Sequence, residues 1–586
     1  MGYRPPLEDI EFTLTHIADL ESIAKLNGFQ HADPATVRGV LEEAGRFFSE
    51  VIAPLNRVGD QQGSKLQADG TVQTPEGFRD AYRKFVGAGW GGVHIPEQWG
   101  GGGMPYTVGV VLQEMFKSAN MAFSLCPLLT QASIEALMSH GSPDQQDLYL
   151  EKLVSGVWSG TMCLTEPQAG SDVGALSTRA EPQPDGTYRL FGQKIFITWG
   201  EHDMSENIVH LVLARCPGAA PGTKGISLFL VPKFIPDSDG NPGTRNDLKV
   251  VSIEHKMGIH ASPTCVMAFG DDGEGALGYL IGEEQSGMRY MFTMMNTARV
   301  GVGVEGLSIT EAAYQKALEF SRVRKQGREP GSTEEVVISE HPDVRRMLLT
   351  MRAYKEAMRG LLYLNAQQVD LERHAEASEE REKAAELVAL LTPISKAWPT
   401  DLGVEMASLG IQVHGGMGFV EETGAAQFYR DIRIAPIYEG TNGIQAIDLV
   451  TRKVPMRQGA VVGGLLETIL DEAATAPSEL EPVSAPLVAA LSGLREATEH
   501  LLAAEDPNRI LAGASPYLRM FGLVIGGWVH LRSAIAARAG LEHGVDAFLS
   551  GRLGLAGFYN QQLLPQALGL LGAVTASSDQ LDGAFL

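Results

Sequence analysis

The sequence predicts a mainly α-helical protein with a β domain in its middle. From Thr36 to about Gly156, apolar residues recur three or four positions apart, a spacing that favours helices. After Trp158 the chain changes to short β-rich runs separated by turn clusters, and near Ser286 the helical period returns. This order of helices, strands and helices lacks the regular alternation of a doubly wound α/β protein.

The N-terminal part divides into an extension, residues 1–35, and a helical domain, residues 36–157. The first helix of that domain is expected to bury one apolar face. The residues of this face are Val37, Leu41, Ala44, Phe48 and Val51. The glycine cluster W-G-G-G-G-M-P at 99–105 predicts a loop between later helices.

Residues 158–280 form the predicted β domain. Its strands are expected in the runs YRLFGQKIFIT, NIVHLVLA, GISLFLV, VVSIEHKMGI and TCVMAFG. The clusters P-Q-P-D-G and D-S-D-G-N-P-G supply turns between them. Several short strands joined by such turns are typical of a sandwich or a barrel.

Two further helical regions follow, at residues 281–455 and 468–586. The first contains a clear apolar stripe at helical spacing, formed by Val344, Met347, Leu348, Met351, Met358, Leu361 and Leu362. The stretch A-P-S-E-L-E-P-V-S-A-P at 476–486 is rich in proline and serine, so it predicts a linker before the last helices.

Charge and composition exclude some classes of protein. The formal net charge of −24 argues against nucleic-acid binding, which needs a basic surface. The four cysteines (Cys126, Cys163, Cys216 and Cys265) form no C-x-x-C pair, so neither a disulfide framework nor a metal site is indicated. We expect a cytoplasmic protein without a transmembrane segment, because the sequence shows no secretory leader and no uninterrupted apolar run of about 18 residues.

One glycine motif resembles a dinucleotide-binding turn but lies in the wrong context. Residues 301–306 read G-V-G-V-E-G, which matches the G-x-G-x-x-G pattern of dinucleotide-binding turns. That function requires a strand before the motif, whereas the residues on both sides continue a helical pattern. We therefore predict a helix whose small residues allow another helix to approach closely.

A single carboxylate occupies the turn Y-E-G-T-N-G-I-Q at 438–445. Glu439 lies between the apolar runs R-I-A-P-I-Y and I-Q-A-I-D-L-V. An apolar pocket raises the pKa of a carboxyl group and makes the carboxylate a better proton acceptor. The pattern therefore allows a catalytic base, and a solvated turn acid is the alternative.

Four other segments carry polar groups at loops and strand ends. They read C-L-T-E-P-Q-A-G-S-D-V-G-A-L-S-T-R-A at 163–180, K-I-F-I-T-W-G at 194–200, R-K-Q-G-R at 324–328 and Q-V-H-G-G-M-G at 412–418. Each is weak alone, and the first could be an ordinary turn with a helix cap. In this order and with the turn at Glu439, they resemble the acyl-CoA dehydrogenase flavoprotein family over residues 36–455.

The resemblance implies a fold and a reaction. The fold has a helical N-terminal domain, a β-barrel-like middle domain and a four-helix-bundle C-terminal domain, to which this chain adds an extra helical domain. FAD lies between the β domain and the bundle. The family converts an acyl-CoA thioester to a trans-2-enoyl-CoA by removing a proton from the α carbon and a hydride from the β carbon, and electrons pass to an electron-transfer flavoprotein.

The resemblance also assigns roles to residues. Glu439 matches the catalytic base, whose own backbone N–H helps to stabilise the thioester oxygen. The expected FAD-binding residues are Met162, Leu164, Thr165, Ser171, Phe196, Thr198, Arg324, Gln326, Gln412, Gly415, Gly416 and Thr441. The expected substrate-binding residues are Ser171, Thr297, Arg299 and Gly440.

Some of these assignments have competing interpretations. Phe196 stands where the family often has a tryptophan against the flavin, although a strand phenylalanine is usually a core residue. Arg324 matches an arginine that reaches the FAD pyrophosphate of a neighbouring subunit, but it could be a helix-surface residue. Arg299 could instead pair with Glu305 or another acid. Gly443 replaces a glutamine that contacts FAD in some members, and R-K-Q-G-R lacks the usual aromatic residue.

Three further motifs read S-P-Y-L-R-M-F-G-L-V at 515–524, F-Y-N-Q-Q-L-L-P-Q-A at 558–567 and K-M-G-I-H-A-S-P-T-C at 256–265. Together they resemble the long bacterial branch of the family that is often named for 3-(methylthio)propanoyl-CoA. The substrate is therefore expected to be that thioester or a fatty acyl-CoA. A homodimer is expected, because the extra helical domain of long members covers surface that short members bury in tetramers. Two alternatives remain open: an acyl-CoA oxidase that uses dioxygen, and a catalytically silent acyl-CoA-binding protein.

Overall fold

The computed structural model describes residues 2–328, 333–581 and 583–585. It confirms the predicted fold class, with helices on both sides of one central β domain along the chain. The N-terminal part consists of α1 (Leu7–His16), α2 (Leu20–Ile23), α3 (Pro34–Phe47), α4 (Pro54–Gln62), β1 (Lys65–Leu66), β2 (Val72–Gln73), α5 (Phe78–Gly87), α6 (Tyr106–Ala119), α7 (Met121–His140) and α8 (Pro143–Ser155).

Helix α3 begins where the sequence places a capping residue. The Asp33 carboxylate accepts hydrogen bonds from the backbone N–H groups of Ala35 and Thr36 at 3.0 and 3.2 Å, and Pro34 occupies the first turn. The predicted apolar face is buried at four of its five positions, with Val51 partly exposed.

The β domain is one eight-stranded sheet with a small hairpin beside it. Its strands are β3 (Trp158–Cys163), β4 (Arg179–Pro182), β5 (Tyr188–Thr198), β6 (Asn207–Ala214), β7 (Ser227–Pro232), β8 (Phe234–Pro236), β9 (Pro242–Arg245), β10 (Leu248–Ile253), β11 (Thr264–Phe269) and β12 (Ala276–Leu280). The order is β10-β11-β5-β12-β7-β6-β3, with β4 also on β5 and with β8 and β9 forming the hairpin. The pairings follow an open path, so hydrogen bonding does not close the sheet into a full barrel.

The C-terminal half is built around three long helices that pack against one another, α9, α10 and α11. Its elements are α9 (Gly287–Val323), β13 (Lys325–Arg328), β14 (Glu335–Val337), α10 (Pro342–His374), α11 (Ser378–His414), α12 (Ala425–Ile432), α13 (Asn442–Asp448), α14 (Ala460–Ala474), α15 (Glu481–Ala503), α16 (Pro507–Leu541), α17 (Ala547–Phe558) and α18 (Gln566–Thr575). Helix α16 of the last segment packs on α10, α11 and α13.

The glycine motif at 301–306 lies within α9, as predicted. A Cβ atom on Gly303 would lie 1.9 Å from the backbone oxygen of Ser395, and one on Gly306 would lie 2.0 Å from that of Pro399. Both contacts are with α11. The small residues therefore permit the close packing of two helices, and the motif is no dinucleotide turn.

The predicted linker at 476–486 is partly wrong. A short helical turn spans 478–480, and α15 already begins at Glu481. Pro482 lies in the first turn of α15, where a missing N–H costs no hydrogen bond. The expected strand VVSIEHKMGI is also too long, because β10 ends at Ile253 and the rest is a loop.

A buried ion cluster joins both ends of the chain to the central helices. Arg359 of α10 donates to Glu114 of α6 at 2.7 Å and to Glu311 of α9 at 2.9 Å. Arg552 of α17 donates to Asp9 of α1 at 2.7 Å. The cluster consists of Asp9, Glu114, Glu311, Lys355, Glu356, Arg359, Tyr363 and Arg552.

Two of the described helices, α7 and α16, are long and apolar enough to cross a membrane by length and composition. Of their most apolar windows, 94% and 83% is buried inside the protein. Core helices of large proteins have the same character.

Candidate active site

Glu439 lies on the turn that connects α12 to α13. Its φ is +57°, and that of Gly440 is +79°, so two successive residues adopt the left-handed conformation. This conformation costs energy at a residue with a side chain and persists only where neighbours hold it. Gln445 supplies one such contact, because its Nε2 donates to the Glu439 backbone oxygen at 3.2 Å. A Cβ on Gly440 would lie 2.8 Å from the same Nε2 atom.

Asn442, the first residue of α13, links the turn to α11 by hydrogen bonds. Asn442 donates from Nδ2 to the Asp401 carboxylate at 2.7 Å and to the Ala397 oxygen at 3.1 Å. Its Oδ1 accepts from Lys396 Nζ at 2.8 Å. Thr441 caps the same helix, since its hydroxyl accepts from the Ile444 N–H at 3.2 Å. No pattern in the sequence indicated a role for Asn442 or Lys396.

Glu439 is half-buried, and Arg299 and Lys396 are the cations that act on its carboxyl group. Burial raises the pKa of Glu439, while the positive charges of Arg299 and Lys396 oppose this and leave the pKa above its ordinary value. Lys396 is fully buried, and burial lowers its pKa to about 8, although the negative charges of Glu439 and Glu305 act to raise it. Because burial outweighs these charges, the Glu439 carboxyl group ionises at higher pH than that of an exposed glutamate.

Arg299 does not pair with Glu305 within the described residues. Glu305 accepts a hydrogen bond from the Tyr438 hydroxyl at 2.5 Å instead. Arg299 is 6% exposed, donates to Asn296 Oδ1 at 3.3 Å and faces the charges of Asp448 and Glu439. The pairing of Arg299 with Glu305 is therefore wrong, and the alternative of another acid fits better, because the arginine faces Glu439 of the turn and Asp448 of α13.

Arg299 and Thr297 line a cleft of about 690 Å³ between α9, α10 and α11. Arg373, Arg452 and Lys453 also line this cleft. The acids Glu372 and Asp448 line it too, and Arg373 and Arg452 pair with acids, so Arg299 and Lys453 are the cations left to attract an anionic ligand.

A second group of expected site residues lies on β5 and in the loop after β3. Glu166 and Lys194 form a buried ion pair at 2.8 Å, and Lys194 also donates to the Leu164 oxygen at 3.0 Å. Burial would raise the pKa of Glu166, but Lys194 and several hydrogen bonds lower it to about 2. The Ile195 N–H donates to the Thr165 oxygen at 2.9 Å. These contacts fix the loop against the strand.

Phe196 follows this contact and is not a core residue. It has a φ of +59° and is 58% exposed, beside an irregular pairing of β5 with β11. Thr198 lies two residues further along the strand, and Ser171 lies in the exposed part of the facing loop. Within the described residues, the hydroxyls of Thr165, Ser171 and Thr198 make no hydrogen bond to protein.

These features fit a flavin. An exposed aromatic ring offers a stacking surface, and three hydroxyls without protein partners offer hydrogen bonds to a polar ring system and its chain. Leu164 is half-buried in the loop after β3, whereas Met162 is buried in an apolar cluster with Leu129 and Met294.

The remaining expected FAD residues lie at the other end of α9 and α11. Arg324 directly follows α9 and donates to Gln326 Oε1 at 3.2 Å, and both are exposed. Gln412 lies in the last turn of α11 and the glycines at 415 and 416 directly follow that helix; all three are exposed. Arg324 lies about 37 Å along the helix from Arg299, at about 1.5 Å per residue. One chain does not bring these residues and Glu439 together.

Family models match four consecutive parts of the chain. Those of the acyl-CoA dehydrogenase N-terminal, middle and C-terminal domains match residues 35–157, 161–271 and 285–454. A model described as acetyl-CoA dehydrogenase C-terminal like matches residues 465–582.

Relatives and solved structures agree with these matches. The chain is 46% identical to 3-methylmercaptopropionyl-CoA dehydrogenase of Ruegeria pomeroyi, over 100% of both proteins. It is 35% identical to a butyryl-CoA dehydrogenase of Syntrophomonas wolfei, over 98% of this chain and 97% of that one. The crystal structure of Caenorhabditis elegans ACDH-11 in complex with C11-CoA shares the fold with a TM-score of 0.78 at 19% identity, over 99% of this chain and 94% of that one.

Because family models match all four parts of the chain and its relatives match over the full length, this protein belongs to the acyl-CoA dehydrogenase family, whose members are FAD-dependent oxidoreductases.

Proposed function

We propose that the protein converts an acyl-CoA thioester to a trans-2-enoyl-CoA, with Glu439 as the base that takes the α-proton. The observation that carries this proposal is the Glu439 turn itself. A carboxyl group with a raised pKa stands there on a left-handed turn beside a cation-lined cleft. A raised pKa strengthens the carboxylate as a proton acceptor.

The thioester oxygen needs hydrogen-bond donors while the α-proton leaves, because it gains negative charge. The backbone N–H of Glu439 donates no hydrogen bond within the described residues. The left-handed turn therefore exposes a free donor on the same residue that carries the base. This arrangement supports the proposed role of Glu439 in both proton transfer and oxygen binding.

The cleft beside the turn would hold the CoA arm. Arg299 and Lys453 would attract its phosphates, and Thr297 would offer a hydroxyl. When bound, FAD supplies the acceptor for the hydride that leaves the β carbon. The wall formed by Thr165, Phe196 and Thr198 would hold the flavin ring against the substrate.

The names of the relatives point to short acyl groups, 3-methylmercaptopropionyl and butyryl. We therefore propose a short acyl-CoA, either 3-(methylthio)propanoyl-CoA or a fatty acyl-CoA. Anaerobic titration of the FAD-loaded protein with a panel of acyl-CoAs is expected to bleach the flavin absorbance most strongly with short thioesters. A flavin that stays oxidised with every thioester would instead support a silent acyl-CoA-binding protein.

We also propose that the electrons pass to an electron-transfer flavoprotein and that the protein works in the cytoplasm. An acyl-CoA oxidase is the alternative, and it differs only in the final acceptor. Turnover in air distinguishes the two, because an oxidase forms hydrogen peroxide at the rate at which it forms enoyl-CoA. A dehydrogenase forms little peroxide and needs the flavoprotein or an artificial acceptor.

A homodimer would unite the two separated sets of FAD residues. The end of α9 and α11 that carries Arg324 and Gln412 also exposes Val323, Met417 and Phe419, the last at 88%. Apolar groups in such numbers at one end of a structure mark an interaction surface. In a dimer, this end of one chain would reach the FAD held by its partner.

The variant Phe419→Asp is expected to convert the dimer to monomers and to lower the FAD content of the purified protein, since a charge would be buried at the interface. Light scattering and the flavin-to-protein absorbance ratio measure the two effects. Val545→Asp, at an exposed residue between α16 and α17, is the matched control and should change neither. Tetramers of the unaltered protein at micromolar concentration would contradict the proposal.

A further inference from the structure

A second carboxyl group is buried beside the Glu439 turn. Glu305 of α9 is 0% exposed, and its Oε2 accepts the hydrogen bond from the Tyr438 hydroxyl. Its other oxygen, Oε1, is buried and has no hydrogen-bond partner within the described residues. An anchor for a tyrosine requires only one neutral acceptor, and a buried oxygen without a partner costs stability. Packing alone therefore gives no reason for an acid at this position.

The hydrogen bond from Tyr438 acts directly on the catalytic turn. Tyr438 precedes Glu439, whose backbone is in the left-handed conformation. Gln445 holds the turn from the other side through the Glu439 oxygen. Glu305 and Gln445 thus add to Asn442 in fixing the turn around the base, and movement there would displace the Glu439 carboxylate.

Glu305 and Glu439 also share a set of cations. Lys396 of α11 interacts with both acids. Lys117 of α6 faces Glu305, and Arg299 of α9 faces Glu439. Asp401 also faces Lys396, and Asp448 also faces Arg299.

Two acids in one charged pocket titrate as a pair. Burial raises the pKa of Glu305 to about 7, against the lowering effects of Lys117 and of the Tyr438 hydrogen bond, and Glu439 adds to the increase. Because the repulsion is mutual, an ionised Glu305 also makes it harder for Glu439 to ionise.

We propose that Glu305 is a positioning residue of the active site, which holds the Glu439 turn through Tyr438 and whose charge sets the pH at which the base becomes fully ionised. The inference rests on the proposed function of Glu439 as the base. It adds a residue that touches neither substrate nor flavin and acts through its neighbours.

The variant Glu305→Gln separates charge from shape, because glutamine keeps an acceptor for the Tyr438 hydroxyl. Loss of the repulsion is expected to bring kcat/KM to its plateau at a pH about 0.5–1 unit lower than in the unaltered protein. The FAD content and the apparent Tm should remain close to those of the unaltered protein. A pH profile that coincides with that of the unaltered protein would overturn the electrostatic part of the proposal.

The variant Tyr438→Phe removes the hydrogen bond and keeps the Glu305 charge. A looser turn is expected to lower kcat by about 10-fold with little change in KM. Tyr363→Phe is the matched control, since Tyr363 donates to the buried carboxylate of Glu114 at 2.6 Å within the buried ion cluster. The control should lower the apparent Tm and leave kcat and the pH profile unchanged.

The two levels of the proposal fail in different ways. If Tyr438→Phe changes only the apparent Tm, as its control does, the positioning role is wrong even if Glu305→Gln does not fold. If none of the acyl-CoAs reduces the flavin of the unaltered protein, the proposed function itself is wrong. Normal turnover of the unaltered protein with unchanged behaviour of both variants would reject the role of Glu305 alone.

Discussion

Replacing Glu439 by glutamine is expected to lower the rate of flavin reduction by acyl-CoA at least about 10³-fold. Glutamine fills the same space but cannot accept the α-proton at neutral pH, and no other carboxylate stands on the same turn. The backbone N–H remains in place, so binding of FAD and of acyl-CoA should persist. Anaerobic stopped-flow measurement of the flavin absorbance gives the rate, and the flavin-to-protein ratio gives the cofactor content.

Two further variants make the test specific. Glu439→Asp keeps a carboxylate but withdraws it by one methylene, so an intermediate loss of about 10–100-fold is expected. Glu422→Gln, at an exposed acid before α12, should retain full activity. Near-normal flavin reduction by the Glu439→Gln variant would remove the base from the proposal and leave the turn as a structural feature.

The pH dependence has a defined sign. Burial raises the pKa of Glu439, and the base works only when ionised, so kcat/KM should fall as the pH drops through that raised pKa. An exposed glutamate would hold its activity to lower pH. The position of this acid limb therefore reports whether the base is buried in the working enzyme, independently of the size of its rate effect.

The sequence offers candidate site residues where these lie within short contiguous motifs. The lone acid between two apolar runs makes Glu439 a candidate base, and the resemblance to the acyl-CoA dehydrogenase family selects that role over a solvated turn acid. The residues around the glycine motif at 301–306 continue a helical pattern, which excludes a dinucleotide turn. Both inferences depend on residues that are neighbours along the chain, where the periodicity is readable.

Residues that reach the site from elsewhere were missed. Glu305 occupies the last variable position of the G-V-G-V-E-G motif, and its partner Tyr438 is 133 residues away. Lys396 lies within an apolar helix, where the pattern gives no sign that its ammonium group meets Asn442. Such contacts follow from how the segment 438–442 packs against α9 and α11, and sequence spacing does not contain that geometry.

The second large effect is expected on stability, when the buried ion cluster loses its central arginine. Arg359→Met is expected to lower the free energy of unfolding by about 3–5 kcal/mol, because it leaves buried acids without a compensating charge. The guanidinium of Arg359 donates to Glu114 and Glu311, and to Glu356 at 2.7 Å, and none of these side chains is exposed by more than 2%. Urea unfolding and the apparent Tm measure the loss.

The pH dependence of this defect separates an uncompensated charge from a packing defect. Burial already raises the pKa of Glu114 although Arg359 opposes it, and removing the arginine raises that pKa further. A carboxyl whose pKa is higher in the folded than in the unfolded protein regains stability as the pH falls through its folded pKa. The defect of Arg359→Met should therefore be smaller at pH 5 than at pH 8, whereas a cavity would cost the same at both.

A double variant tests the same cause without a change of pH. Glu114→Gln combined with Arg359→Met removes one of the stranded charges, so it should be more stable than Arg359→Met alone. Lys383→Met, which breaks an exposed pair with Glu379 on α11, is the control and should change stability by less than about 0.5 kcal/mol. If the double variant is less stable than the single one and the defect is independent of pH, the cluster stabilises the protein by packing and hydrogen bonding rather than by charge.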